Sequence, residues 1–267
     1  MNAADELTRL LGIMQALRHP DTGCSWDLAQ DFDSIAPYTI EEAYEVADAI
    51  ARRDWAGLTD ELGDLLLQIV YYARMAEEAG RFDFAAIARG IADKMVRRHP
   101  HIFTDATPEA ARIQAAWEDN KETERRARGE HGALAGVAVG LPALARSIKL
   151  TARAARVGFD WPDAAHVLLK LDEELAELRA ELPAHPQAPD RARLQDELGD
   201  VLFTVANLAR KLDLDPEACL RHANDKFQRR FDAMERIIEG QGRSLRETGL
   251  DEMEAGWQAV KTRERQA

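Results

Sequence analysis

Glu42 and Glu45 stand three residues apart, and so do Glu61 and Asp64. The pattern returns as Glu174 with Glu177, and Glu197 with Asp200. On a helix, residues three apart share a face. Each set can therefore aim four carboxylates into one space. Like charges gathered in this way repel and resist ionisation, and a divalent cation is the simple way to hold them. Neither set contains a histidine, whereas zinc usually recruits His or Cys and a di-iron bundle carries Glu-x-x-His. Hard oxygen donors suit Mg²⁺, with Mn²⁺ as a substitute. Mg²⁺ keeps waters and shares its shell with substrate phosphates, so the clusters imply a phosphorylated substrate.

The cations agree with that chemistry. Lys226 and Arg230 lie four apart on one helical face, as do Lys94 and Arg98, and Lys261 follows Trp257 by one turn. Such a pair can neutralise phosphate oxygens and the charge that develops in phosphoryl transfer. The indole can pack on a base or ribose. There is no GxxxxGK[ST] loop, so this is not a Walker ATPase. Metal and cations on a helical scaffold suggest metal-assisted hydrolysis of a phosphoanhydride.

The elements that must position these groups read as helices. Apolar residues recur at three and four spacing in Ile40, Tyr44 and Ala47, in Leu62, Leu65, Leu66, Ile69 and Val70, and in Val201, Val205 and Leu208. No segment of length alternates with period two, so the chain reads as all-α. Breaks are expected at Arg18 to Ser25, near Gly80, at Arg98 to Pro108, at Gly129 to Pro142, at Gly158 to Pro162 and at Pro183 to Pro189. Thr39, before Ile-Glu-Glu, reads as a helix N-cap. Gly63 and Gly199, within helical stretches, are expected to allow close helix approach, since glycine costs about 1 kcal/mol there.

The repeat extends beyond the acids. Asp93-Lys94-Met95-Val96-Arg97-Arg98 returns 132 residues later as Asp225-Lys226-Phe227-Gln228-Arg229-Arg230, the offset that separates Glu42 from Glu174. Trp117 and Lys121 recur as Trp257 and Lys261, and Trp26-Asp27 has a looser echo in Asp160-Trp161. The period is far longer than a solenoid repeat. We read a tandem duplication of helical modules over 1–125 and 140–267, with 126–139 as linker.

Composition bounds the partners. The 267 residues are 46% hydrophobic and carry a net charge of −13, with a pI near 5.1. That balance argues against general nucleic-acid binding. Two cysteines without CxxC point to a reducing compartment with no disulfide framework. The acidic start has no apolar signal core, and no apolar run approaches a membrane span. The default location is the cytoplasm.

Glu-Glu-x-x-Glu followed by Glu-x-x-Asp resembles the all-α nucleoside triphosphate pyrophosphohydrolases, and specifically the MazG family. The resemblance covers nearly the whole chain. It is carried by Leu10-Leu11-Gly12-Ile13-Met14, Cys24-Ser25-Trp26-Asp27, Ile35-Ala36-Pro37-Tyr38-Thr39 and Arg97-Arg98-His99-Pro100-His101. It continues through Val157-Gly158-Phe159-Asp160-Trp161 and Lys226-Phe227-Gln228-Arg229-Arg230-Phe231. It implies paired helical-bundle modules in a homodimer, hydrolysing NTPs and dNTPs, ATP among them, to monophosphate and pyrophosphate with Mg²⁺. Glu174, Glu177, Glu197 and Asp200 match the family's metal ligands. Lys226, Arg230, Trp257 and Lys261 match nucleotide-contacting positions and Glu173 part of the substrate-binding segment; Lys170, Arg193 and Asp196, beside the acids, complete the candidate nucleotide-binding set. Glu173, Glu174, Glu177, Lys226 and Arg230 are the catalytic candidates. The implied role is housecleaning of the nucleotide pool. Rival readings are a narrower dUTPase-like or phosphoribosyl-ATP pyrophosphohydrolase and a regulatory protein-interaction module.

The two copies differ beside the acids. Lys170 stands four residues before Glu174, where Tyr38 precedes Glu42; Arg193 precedes Glu197, where Gly57 precedes Glu61. A triphosphate carries several negative charges, so the copy with added cations is expected to be the main NTPase. The first copy (Glu42, Glu45, Glu61 and Asp64, with Lys94 and Arg98) then reads as degenerate, regulatory or of different specificity.

Overall fold

Aspartate opens most of the helices. Asp31, Asp54, Asp83, Asp163, Asp190 and Asp215 each precede a helix and accept one or two of its first backbone N–H groups. A short carboxylate at this position satisfies donors that have no partner within the helix and complements the dipole. The computed structural model describes residues 2–103, 129, 131–182 and 190–266. No strand occurs among them, in keeping with the all-α reading. The chain divides into two compact units, Met1–Lys121 and Glu122–Ala267. The linker placed at 126–139 lies partly outside the described residues, and 131–139 forms turns without a helix. The break expected over Pro183 to Pro189 and the repeat residues Trp117 and Lys121 lie outside the described residues.

In the first unit, α1 (Ala3–Leu17), α2 (Ser25–Ala29), α3 (Phe32–Arg52), α4 (Trp55–Glu78), α5 (Phe84–Arg98) and α6 (Pro100–Phe103) follow in order. α3 pairs chiefly with α4, and α1 lies on α4. Met14, Ile35, Val70, Tyr71 and Met75 form the core, flanked by Leu10, Leu11, Leu67 and Phe84. Beneath them Arg18, only 8% exposed, ties the unit together. Its Nη2 meets Glu78 Oε2 at 2.9 Å, its Nη1 donates to the Asp27 and Gln30 carbonyls, and its guanidinium lies 5.5 Å from the centre of the Tyr71 ring. That network pins the Trp26-Asp27 segment onto α4.

Thr39 is not the N-cap. α3 begins seven residues earlier, at Phe32, where Asp31 and Ser34 form a reciprocal capping box. The helix runs through Pro37, which forfeits one backbone bond. Thr39 Oγ1 instead meets Tyr72 Oη at 2.9 Å. The acidic residues after Thr39 are therefore mid-helix, not first-turn.

The second unit contains α7 (Ala143–Arg156), α8 (Ala164–Glu181), α9 (Arg191–Lys211), α10 (Pro216–Glu239), a short 3₁₀ turn (Leu245–Glu247) and α11 (Leu250–Gln266). α8 pairs chiefly with α9, mirroring α3 with α4, and α11 packs on α10. Met234, Ile238 and Val260 form a core there, joined by Trp257. The echo of Trp26-Asp27 has an analogous anchor. Asp160 takes Lys211 Nζ at 2.6 Å and the Arg210 guanidinium, fixing the turn before α8 to the end of α9.

Burial pushes the Asp160 carboxyl up, but the hydrogen bonds from Arg210 and Lys211 outweigh it and hold the group below its ordinary value. A lowered folded value stabilises the fold above the unfolded value, and that gain is lost as pH falls through the folded value. Asp160→Ala is expected to cost about 2 kcal/mol at neutral pH. Urea unfolding should show the difference closing in acid; an undiminished gap there would remove the charge from the account.

Gly63 and Gly199 do not serve close packing within one chain. A Cβ built on either meets nothing within 4 Å. Val70 of the second apolar stripe is fully buried, but other apolar residues on these helices face outward within one chain. Ile40, Tyr44 and Leu62 are 56%, 48% and 49% exposed, and Leu198 and Leu202 are 49% and 51% exposed.

Candidate functional site

The paired helices bring the acids together, three at a time. In the second unit, one carboxylate oxygen each from Glu174, Glu197 and Asp200 lie within 4.8 Å of one another. α8 supplies the first and α9 the other two. In the first unit a different trio converges, Glu42 and Glu45 of α3 with Glu61 of α4. Glu177 and Asp64 stand outside these trios, although both act on them electrostatically. Burial, then the charges of Glu177, Asp200, Glu174 and Glu181, push the Glu197 carboxyl up. Burial, then Asp64 and Glu45, push Glu42 up in the same way. Glu61 is raised by burial and then by Glu45 and Asp60.

The second trio has the features of a cation cradle. Glu174 is 5% exposed, and its Oε2 and that of Glu197 are buried without a hydrogen-bond partner. Two orphaned anionic oxygens facing a third carboxylate carry a desolvation cost that only a proton or a cation can relieve. The donors are all oxygen, as Mg²⁺ or Mn²⁺ prefers.

The cations that distinguish the second copy are engaged. Lys170 Nζ lies 2.8 Å from both Glu173 Oε1 and Glu174 Oε1. The hydrogen bonds to Glu173 and then Glu174 drive its pKa above the ordinary lysine value. Lys170 thus grips one oxygen of Glu174 while the other is buried without a hydrogen-bond partner. Tyr38 holds the corresponding place before Glu42 and is 42% exposed. Arg193 reaches Glu181 at 3.3 Å and Asp190 at 4.0 Å, with its side chain 68% exposed. It is the third residue of α9; Gly57, third in α4, leaves room there for the capping Asp54, whose Oδ2 a Cβ would meet at 2.6 Å. Both distinguishing cations therefore start from a carboxylate, not from open solvent. Asp196 is exposed on α9, as Glu173 is on α8.

α10 and α11 carry the remaining candidates. Lys226 and Lys261 are half-buried, and neither makes an ion pair among the described residues. Trp257 packs at the edge of the core, with its ring 5.4 Å from that of Phe227. Arg230 is bonded through Nε to Glu264 Oε2 at 2.7 Å. Sequence spacing did not single out Glu264. In the first unit, Lys94 and Arg98 occupy the last part of α5.

Comparison with known proteins supplies the context. The MazG nucleotide pyrophosphohydrolase domain matches twice, over residues 30–103 and 164–234. Both matches contain an acidic trio and its Lys/Arg pair. A nucleoside triphosphate pyrophosphohydrolase of Escherichia coli K12 is 48% identical over 261 residues, covering 97% of this chain and 98% of that one. The nucleoside triphosphate pyrophosphohydrolase/pyrophosphatase MazG of Thermotoga maritima is 38% identical over 252 residues, 94% of each chain. A crystal structure of a mazG-related protein from Thermotoga maritima covers 43% of this chain at 25% identity, with a TM-score of 0.38.

Proposed function

The chain belongs to the MazG nucleotide pyrophosphohydrolase family, and we propose that its second unit converts NTPs and dNTPs to the monophosphate and pyrophosphate with Mg²⁺. As a family member it is a hydrolase of phosphoanhydride bonds. The observation that carries the metal reading is the pair of buried, partnerless oxygens on Glu174 and Glu197 beside Asp200. Those three would hold the ion, with Glu177 completing the acidic wall. When bound, Mg²⁺ supplies charge neutralisation at phosphate oxygens and acidifies a bound water.

The chain's own groups do the rest. Lys170 keeps the Glu174 carboxylate oriented. Lys226 and Lys261, without ion-pair partners among the described residues, and the terminal nitrogens of Arg230 offer positive charge to the phosphates. Trp257 offers a partly exposed indole to the nucleoside. Arg193 and Asp196 line the exposed edge of α9. A water oxygen forms a bond to the α-phosphorus as the α–β bridging bond breaks, and pyrophosphate leaves. The water's proton passes to a carboxylate; Glu173, exposed and lying outside the metal trio, is the candidate, with Lys170 fixing its Oε1 at 2.8 Å.

The outward apolar stripes on α3, α4, α8 and α9 support a homodimer that covers them, since patches of this extent mark interaction surfaces. Among the described residues no helix is long and apolar enough to cross a membrane. The exposed free thiols of Cys24 and Cys219 suit a reducing cytoplasm. A housecleaning role requires tolerance of many bases. Pyrophosphate release across a panel of NTPs and dNTPs tests this. Turnover of several bases within about tenfold in kcat/KM is the expected result. Confinement to dUTP or to phosphoribosyl-ATP would establish the narrower reading.

A further inference from the structure

We propose that Glu264 is a positioning residue that sets the Arg230 guanidinium for phosphate, an inference that rests on the reading of Arg230 as a phosphate contact. Glu264 lies near the end of α11 and reaches across to α10. Its Oε2 accepts from Arg230 Nε at 2.7 Å and its Oε1 from Arg229 Nε at 3.3 Å. The carboxylate is thereby held at both oxygens. The Arg230 and Glu264 side chains are only 21% and 30% exposed, so the pair is partly shielded from water and salt.

The choice of donor atom matters. Guanidinium offers five N–H groups in a rigid plane. Glu264 takes only Nε, and the Arg230 terminal nitrogens make no hydrogen bond among the described residues. The two-pronged end suited to a phosphate is left open, and the plane's direction is set. The ion pair also joins the helix carrying Lys226 and Arg230 to the helix carrying Trp257 and Lys261. On α11, Trp257, Lys261 and Glu264 follow at four- and three-residue steps, on one face.

A sequence pattern supports this independently of the contact. Trp117-x-x-x-Lys121-x-x-Glu124 matches Trp257-x-x-x-Lys261-x-x-Glu264 in spacing. The glutamate is thus part of the duplicated Trp/Lys unit, as the arginine is part of the duplicated Lys/Arg unit. Glu124 lies outside the described residues.

The test measures KM and kcat for pyrophosphate release in wild type, Arg230→Met, Glu264→Ala, Glu264→Gln and the double variant Arg230→Met/Glu264→Ala, with melting temperatures alongside. Arg230→Met should raise KM by about tenfold, the effect of one charge-assisted contact. Glu264→Ala should raise KM by a similar factor with kcat within about twofold. Glu264→Gln, which keeps an acceptor oxygen at the same reach, should remain within about threefold of wild type. The double variant should be no worse than Arg230→Met alone. If Arg230→Met leaves both constants unchanged, the phosphate reading of Arg230 falls and this proposal falls with it. If Arg230→Met impairs KM and Glu264→Ala does not, the positioning role alone is overturned. Multiplied losses in the double variant overturn it too. Should Glu264→Ala fail to fold, the Gln variant decides, and a KM as high as that of Arg230→Met counts against the proposal.

Discussion

Glu174→Ala is expected to lower pyrophosphate release by about a hundredfold or more, while Glu42→Ala retains most of it. Loss of a group that merely orients a metal ligand costs roughly ten- to a hundredfold, so removing a ligand itself costs at least the upper part of that range. Glu174 is buried, gripped on one oxygen by Lys170 and partnerless on the other. Glu42 is only half-buried, and Tyr38 stands where Lys170 precedes Glu174. Glu174→Ala also removes one of the charges that raise Glu197. The metal-free melting temperature of that variant should therefore hold or rise while activity falls, separating chemistry from folding. Equal activity losses from the two substitutions would sink the assignment of the second unit as the principal catalyst.

Chelation gives the second large effect. EDTA should abolish pyrophosphate release, and restored Mg²⁺ should raise the melting temperature as well as the rate. A ligand at a hundredfold excess over its Kd stabilises the fold by about 2.7 kcal/mol, which corresponds to several degrees for a domain of this size. The sign with pH follows from Glu197, whose folded pKa lies above its ordinary value through burial and then the neighbouring acids. A raised value means stability that is present below the unfolded pKa and lost as pH rises through the folded one. In chelator at neutral pH, Glu197→Gln should therefore be more stable than wild type, and the gap should close as pH falls below the ordinary glutamate range. With Mg²⁺ the order should reverse, because the variant loses a ligand. Absence of any Mg²⁺ effect on either melting or rate would remove the metal site.

Much of this was readable before any fold. Spacing of three within Glu174/Glu177 and Glu197/Asp200, the 132-residue recurrence and the Lys/Arg pairs are one-dimensional facts, and helical periodicity alone turns them into faces. Those facts were enough for an all-α duplicated chain with two acidic sites and the MazG resemblance. Local cap chemistry misled in one place. Thr39 has the residue type of an N-cap, but Asp31, eight residues upstream, forms a complete capping box with Ser34, and Pro37 is tolerated inside the helix.

Only the tertiary structure decided which acids converge and what they meet. Intrahelical spacing places Glu177 on the face of Glu174; the packing of α9 on α8 brings oxygens of Glu174, Glu197 and Asp200 within 4.8 Å of one another, with Glu177 acting on Glu197. Long side chains reach across helices in ways no spacing encodes, so Arg230 was found on Glu264, whereas Lys170 on Glu174 is a four-residue pair within one helix. Gly63 and Gly199 stood in helices as the sequence required, but the space beside them belongs to neighbours and proved open. The sequence by itself determined the residue types, the helical faces and the duplication, because these depend on short-range geometry. Burial, carboxylate partnership and the unequal character of the two sites depend on how separate helices rotate against one another, and only the fold decides that.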